Sequence, residues 1–465
     1  MKGITNNINC HNDTTQAEFS QSFLPFELPP IQDKKITVDF NGLLQSSEGG
    51  VLLLSGLSDQ VGIIKRISNC INDGRDQRYT SHELYALLAQ RIYQISLGYE
   101  DANDSNDLRH DPALKMALNV LPGSGDALAA QSTITRLENG VSSSDLYRIG
   151  QAFVDSFLDS YENEPEIIIL DFDDTDSTSY GNQQLSLFNG YYGEYCFMPL
   201  HVYEGFSGKL ITTILKPGKR SKGKQILSIL KRLVSHIRQR FTHTIIIFRG
   251  DSHFCAPEIH QWIGSQENIY HVTGLSANNR LYKHLQEKRN KARKLFEYSG
   301  REITLFHSFL YKADSWVDYQ RVVAKIEYGE KGSRIRFILT DMYQAKAQVL
   351  FKEIYNSRGR DELYIKDHKR YLKSDRTSCK RFQANQFRLF LHSAAYVLLH
   401  ALRENLLNTS QLSKANFQTI RLKLLKVSTC IRELKTTIKI HLPQSYPYKK
   451  IFSQSFAILT YLRGP

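Results

Sequence analysis

A mixed α/β fold with a mainly helical amino-terminal region is what this chain of 465 residues predicts. Two observations carry that expectation: apolar residues at helical spacing before about residue 160, and β-branched runs ending in acidic residues after it. The net charge is +13. A hydrophobic share of 41% supplies a core, and the length suits two to four domains. The positive balance favours a polyanionic partner. No apolar run approaches the roughly 20 residues of a membrane span, and no signal-peptide pattern is visible. A nucleic acid is therefore favoured over a membrane surface. The six cysteines (Cys10, Cys70, Cys196, Cys255, Cys379, Cys430) form no C-x-x-C pair, which argues against a disulfide framework or zinc knuckle and fits a reducing cytoplasm. His253 and Cys255 are close in sequence but lack a second pair, so they make a poor zinc site.

Residues 1–35, rich in Asn, Gln, Ser and Thr, read as a mobile arm. Residues 36–160 read as a mainly helical region. Within it Thr80 and Glu83 suggest a T-x-x-E capping box, followed by Leu84, Leu87, Leu88, Ile92 and Ile95 on one stripe. Asp111-Pro112 predicts a short helix, since Pro suits the first helical position. After the PGSG break a helix is expected around ALAAQSTITRLEN. It exposes Gln131, Ser132, Thr135 and Arg136, which could read DNA, although an ordinary helical hairpin is the preferred reading.

Beyond residue 160 the strand-like runs are IIILDF (167–172), YCFMPLHVY (195–203), KLITTIL (209–215), TIIIF (244–248) and NIYHVTG (268–274), with helices over 222–240 and near 256–264. Three strands in near-succession, then helix, strand, helix, strand, is the order of a ribonuclease-H-like core, here 161–279. Residues 280–345, with a basic helix KHLQEKRNKARK and the strands REITLF, QRVVAKIEY and RIRFILT, read as a β-rich insertion. The core resumes over 346–403, with a buried helix at AYVLLHALR, and 404–465 is a basic carboxy-terminal region without recognisable chemistry.

The stretch EPEIIILDFDDTDST drives a strand into a cluster of carboxylates. Period-two geometry puts Asp171 and Asp173 on one side and Asp174 on the other. Asp251 ends a second apolar strand in TIIIFRGDSHF. Sites gather at the carboxyl ends of strands in open α/β sheets. A single such Asp more often caps a turn, but two on paired strands shift the balance. Asp171, Asp173 and Thr175 also match the D-x-D-x-T opening of haloacid-dehalogenase-like phosphatases. Against that reading, the late GDxxxD of those enzymes has Cys255 in place of its second Asp, and their fold begins with a strand followed by a helix.

The segment YNSRGRDELYIKDHK (355–369) places Tyr355, Arg358, Glu362 and Lys369 in a Y-x2-R-x3-E-x6-K spacing. At 100° per residue Arg358, Glu362, Lys366 and Lys369 share one helical sector. Tyr355 joins them only if the helix runs through Gly359, which costs about 1 kcal/mol. Taken alone, the pattern fits a surface helix with i,i+4 pairs of about 0.3–0.5 kcal/mol each.

With this spacing and the phrases AAQSTITRLEN, FNGYYGEYCFMPLHVY, LKPG, RGDSHFC and ANQFRLFLHSAAY, the chain resembles the DDE transposases of bacterial insertion sequences, in the branch carrying that signature and the thirteen-eighty group. The resemblance runs from about residue 36 to near the end, and it implies a DNA-binding or dimerisation role for the helical region 36–160. It implies a transposase that binds the terminal inverted repeats of its insertion sequence and catalyses metal-dependent strand cleavage and strand transfer. Asp173, Asp251 and Glu362 are implied as the catalytic, metal-holding triad, with Mg²⁺ as cofactor and Mn²⁺ able to substitute. Asp174 is the alternative first acid, and Asp171 a supporting ligand or turn residue.

Tyr355, Arg358 and Lys369 are implied as a phosphate clamp, which the helical sector extends to Lys366. Trp316 could stack on a flipped base, although core packing is the commoner fate of such a ring. Lys216, Lys219, Arg220, Lys222 and Lys224, and the run from Lys283 to Lys294, could grip phosphates without sequence preference. The implied partners are double-stranded DNA at the transposon ends, target DNA and a second copy of the chain in a synaptic complex, with no membrane. The implied location is the prokaryotic cytoplasm, at the nucleoid. A catalytically inactive, DNA-binding descendant remains as an alternative, but all three acidic positions are filled.

Overall fold

The computed structural model describes residues 29–463 apart from positions 39 and 41. Most of the expected arm, residues 1–28, and Cys10 with it, lies outside the described residues. The β-branched runs form a mixed eight-stranded sheet whose members are β1 (Ile167–Asp174), β2 (Leu200–Glu204), β3 (Leu210–Ile214), β4 (Ile245–Gly250), β5 (Ile269–Leu275), β6 (Ile303–Tyr311), β7 (Gln320–Gly329) and β8 (Gly332–Thr340). Their spatial order is β6-β7-β8-β5-β4-β1-β2-β3. The central pairs β1–β4 and β4–β5 are parallel, and every other neighbouring pair is antiparallel. Strands covered on both faces read as continuous apolar runs, as β1 and β4 do.

Five long helices matter for the site and its support: α1 (Leu84–Leu97), α2 (Ser143–Asp159), α3 (Gly223–Arg238), α4 (Gln286–Ser299) and α5 (Phe382–Ala401). Alternation along the strands divides their side chains between two layers. Ile168, Leu170 and Phe172 of β1, with Ile246 and Phe248 of β4, pack against α2 and α3. Ile169 and Ile247 face the opposite layer, where Leu350 and Phe351 cover them. By the same period Asp171, Asp173 and Arg249 belong to this second layer. The strands β6–β8 do not stand apart as a separate module. β8 pairs with β5 from Phe337↔Leu275 to Thr340↔Val272, so they prolong the same sheet.

Helix α1 is buried on nearly all sides and shares one apolar core with α5 and with helical segments as far as Leu459. A three-stranded sheet of Leu44–Ser46, Thr429–Glu433 and Ile438–His441 joins the two ends of the chain. At the Asp111-Pro112 helix (Pro112–Ala117), the Asp111 side chain accepts from the Leu114 N–H at 2.8 Å. Among the described residues no helix is long and apolar enough to cross a membrane, and the five described cysteines are free.

Three expectations are corrected. Thr80 does not cap α1, because its hydroxyl donates instead to the Asp76 carbonyl at 2.9 Å at the end of the preceding turn. The run YCFMPLHVY is two strands rather than one. Pro199 has no N–H to give a ladder, so Glu194–Phe197 joins a small separate sheet with Ser177–Thr178 and Leu187–Asn189 while β2 begins at Leu200. The segment 347–371 is helical but not uniformly α. It passes through a π stretch (Leu350–Tyr355), a 3₁₀ stretch (Asn356–Arg360), one α turn (Asp361–Ile365) and a second π stretch (Lys366–Tyr371). Gly359 lies in the 3₁₀ part, where the change of pitch breaks the 100° sector.

Candidate active site

At the carboxyl end of β1 the two-residue period becomes electrostatics. Asp171 is fully buried and ion-paired with the equally buried Arg249 of β4. The Arg249 guanidinium also donates to the Ile354 carbonyl at 2.6 Å and to the Ser357 hydroxyl, tying the sheet to the helical segment above it. Gly205 is required beside this group, since a Cβ there would stand 2.7 Å from the guanidinium. Arg358 donates from Nη2 to Asp173 Oδ1 at 2.9 Å, with its Nε 4.0 Å from Asp171 Oδ1. Asp174 points the other way, accepting from Lys216 Nζ at 2.6 Å, with His253 Nε2 at 3.3 Å.

Burial drives the Asp173 carboxyl up to about 7; Arg358 opposes the shift, while Asp171, Asp251 and Asp174 add to it. Asp251 and Asp174 are likewise raised, chiefly by burial. Burial pulls Arg358 down, but Asp173, Asp171 and Asp251 outweigh it and raise that group. Four carboxylates, Asp171, Asp173, Asp174 and Asp251, thus gather here, each with burial opposing its charge, and one oxygen each of Asp171 and Asp174 is buried without a hydrogen bond. Such a set of hard oxygens suits a divalent cation of the Mg²⁺ type. As they stand, however, no three acidic, His or Cys side chains among the described residues converge to hold a metal ion.

Asp173 and Asp174 border two clefts. The smaller, about 290 Å³, is lined also by Asp251, Arg220, Tyr191 and Tyr192. The larger, about 530 Å³, is lined also by Glu362, Lys366 and Lys369. Asp173 thus meets Asp251 in one cleft and Glu362 in the other, and Glu362 itself is exposed. Asp251 starts a short turn and accepts from the His253 N–H at 2.8 Å. Tyr355 packs edge-on against Phe351 at 5.6 Å, its hydroxyl over Gly274 of β5. Lys369 donates to Asp176 at 2.8 Å and to Thr175 Oγ1 at 3.3 Å.

Other candidate residues fall elsewhere. Trp316 is half-buried and packs edge-on against Tyr311 (5.6 Å) and His260 (5.9 Å) in the apolar cluster beneath β6–β8, so core packing explains it. Lys216 is buried on Asp174 and offers nothing to DNA, whereas Lys219, Arg220, Lys222 and Lys224 are exposed. The cations between Lys283 and Lys294 lie largely exposed on and beside α4. Gln131 and Thr135 are half-buried and bonded to each other at 3.0 Å, while Ser132 and Arg136 are exposed. Asp171, sealed behind Arg249, cannot act as the nucleophile of a phosphatase. Cys255 is held up to about 11 by burial, against a bond from Thr273, and joins no metal cluster.

Two features escaped sequence reasoning. Arg249 carried a signal, a lone cation inside an apolar strand, but was read only as part of a motif. The small sheet beside the acidic cleft was missed as well: its strand Glu194–Phe197 largely coincides with the start of one long strand-like run, and Leu187–Asn189 and Ser177–Thr178 are too short to show a period.

A search of curated proteins finds no match. Among solved structures the chain is similar to the cryo-EM structure of a piggyBac transposase synaptic complex with hairpin DNA, at 11% identity and a TM-score of 0.42 over 82% of this chain and 80% of that one. The family model described as transposase DDE domain group 1 matches residues 28–464, and the chain belongs to that family.

Proposed function

We propose that the protein binds the terminal inverted repeats of an insertion sequence and cuts and rejoins DNA there, with Asp173, Asp251 and Glu362 as its catalytic acids. The observation that carries this reading is the position of Asp173, on the wall of both clefts, with Asp251 across one and Glu362 across the other. The core order of β1–β5 with α3 supports a ribonuclease-H-like reading, with β6–β8 as its insertion. Asp173, Asp251 and Glu362 would hold divalent Mg²⁺, or Mn²⁺ in its place. When bound, such ions stabilise charge on the attacking and leaving oxygens of an in-line displacement.

The chain's own groups prepare that displacement. Arg358, whose fork suits bidentate phosphate contact, leaves Asp173 for the scissile phosphate, which frees the carboxylate as it neutralises the substrate. Lys366 and Lys369 meet the neighbouring backbone along the larger cleft, and Tyr355 fixes the Arg358 turn over Gly274. Water attacks phosphorus and the strand's bridging P–O bond breaks, leaving a 3′-OH that attacks a target phosphodiester in turn. Two ends must be held together, so the working unit is a homodimer, in a prokaryotic cytoplasm at the nucleoid. The test is nicking of a plasmid carrying the sequences that flank the coding region. Asp173→Asn, Asp251→Asn and Glu362→Gln should each abolish Mg²⁺-dependent cleavage while retaining binding of the ends. Undiminished cleavage by any of them would remove that residue from the triad.

A further inference from the structure

The smaller cleft has one wall the catalytic reading does not use. Leu187–Asn189 and Glu194–Phe197 form a hairpin whose tip is Gly190-Tyr191-Tyr192-Gly193. The tip is held in shape. Asn189 Oδ1 accepts from the Tyr191 N–H at 3.0 Å, the Gly193 N–H donates to the Asn189 carbonyl at 2.8 Å, and Gly193 has the positive φ of 72° that this turn needs. The hairpin is also fastened to the basic loop beneath it. Asn189 Nδ2 donates to the Gly218 carbonyl at 2.9 Å, and Gly218 lies so close to the Cys196 and Leu187 carbonyls that no Cβ would fit. The next two residues of that loop are Lys219 and Arg220, both exposed.

On this platform Tyr191 is 88% exposed and Tyr192 39%, with ring centroids 4.9 Å apart at 88°. Phe188 and Tyr195 extend the exposed aromatic surface. Large rings held in water on a braced turn mark an interaction surface. Their neighbours decide its occupant. Tyr191, Tyr192 and Arg220 share one cleft with Asp173 and Asp251, so the ligand offers flat π-faces and negative charge together. A nucleotide does both. Within a duplex the base faces are already stacked, so apart from the outer face of a terminal pair the rings can reach only an unpaired base.

We propose that Tyr191 and Tyr192 take an unpaired nucleotide of a DNA end, stacking on its base while Arg220 meets its phosphate, and so hold the strand beside the catalytic carboxylates. The proposal rests on the reading of this cleft as a DNA-cleaving site. It is tested with a blunt duplex and the same duplex extended by unpaired thymines, with 2-aminopurine at the first unpaired position. Wild-type protein should prefer the extended duplex and quench the 2-aminopurine. Y191A/Y192A should lose about tenfold of that preference, together with the quenching, and Y191F/Y192F should restore both. A wild-type protein that binds both DNAs equally, or alanine variants that keep preference and quenching, would overturn this inference alone. Failure of the wild-type protein to bind either DNA would overturn the underlying reading as well.

Discussion

Arg249→Met tests whether the buried pair beneath the carboxylates holds the site together. The side chains of Arg249 and Asp171 both have 0% exposure. Removing Arg249 leaves Asp171 buried with, among the described residues, only Arg358 Nε, 4.0 Å away, to offset its charge, which costs about 3–5 kcal/mol. The substitution also removes the donors to Ile354 and Ser357, so the turn carrying Arg358 loses its tie to the sheet. With a urea slope near 3 kcal/mol/M, the loss lowers the unfolding midpoint by about 1–1.7 M. The double variant D171L/R249M removes both charges and should recover most of that loss, to within about 2 kcal/mol of the parent. The assay is urea unfolding followed by fluorescence on all four members of the cycle. A single-variant cost below about 1 kcal/mol, or costs that simply add in the double variant, would show that the pair does not behave as a coupled buried unit.

Other consequences follow from the same reasoning. Glu138 accepts from Arg91 at 2.9 Å and Arg388 at 2.8 Å, all three buried, so Glu138→Leu strands two guanidiniums and should cost at least about 3–5 kcal/mol in thermal or chemical unfolding. Gly274→Ala places a methyl 2.6 Å from the Tyr355 hydroxyl and 2.8 Å from the Ser252 nitrogen, next to Asp251. Displacing both should cut strand cleavage by about a hundredfold, with the protein still folded by circular dichroism. Lys219→Ala with Arg220→Ala should flatten the dependence of log K on log salt by about two. Lys216→Met should leave that slope unchanged while lowering stability, because Lys216 already pairs with Asp174.

What the chain displays locally could be read without coordinates. The β-branched runs of β1 and β4 announce buried strands, Asp111 before Pro112 announces a capped helix, and the alternation of Asp171, Asp173 and Asp174 gives their opposite facing. What depends on partners distant in the chain could not. Lys216 looks like any loop cation until Asp174, 42 positions away, is seen to hold it. Arg249 meets Asp171 across 78 positions; a lone cation in an apolar strand shows that a partner is needed but not which one. The segment 347–371 keeps its apolar contacts to the sheet by shifting between π, 3₁₀ and α turns, a compromise between packing and backbone that a fixed period of 3.6 cannot anticipate. The hairpin at 187–197 was masked because its first strand has only three residues and its second runs into the apolar stretch that Pro199 divides.

In the proposed function, carboxylates from β1, the end of β4 and the segment above them jointly hold divalent ions on DNA. Counting Mn²⁺ bound per chain by electron paramagnetic resonance, with a duplex bearing the flanking terminal sequence, measures this directly. Tight Mn²⁺ binding is expected in the wild-type complex, with its loss in Asp173→Asn and Asp251→Asn and weakened binding in Glu362→Gln. The same number of ions bound at the same affinity in all four proteins would contradict it.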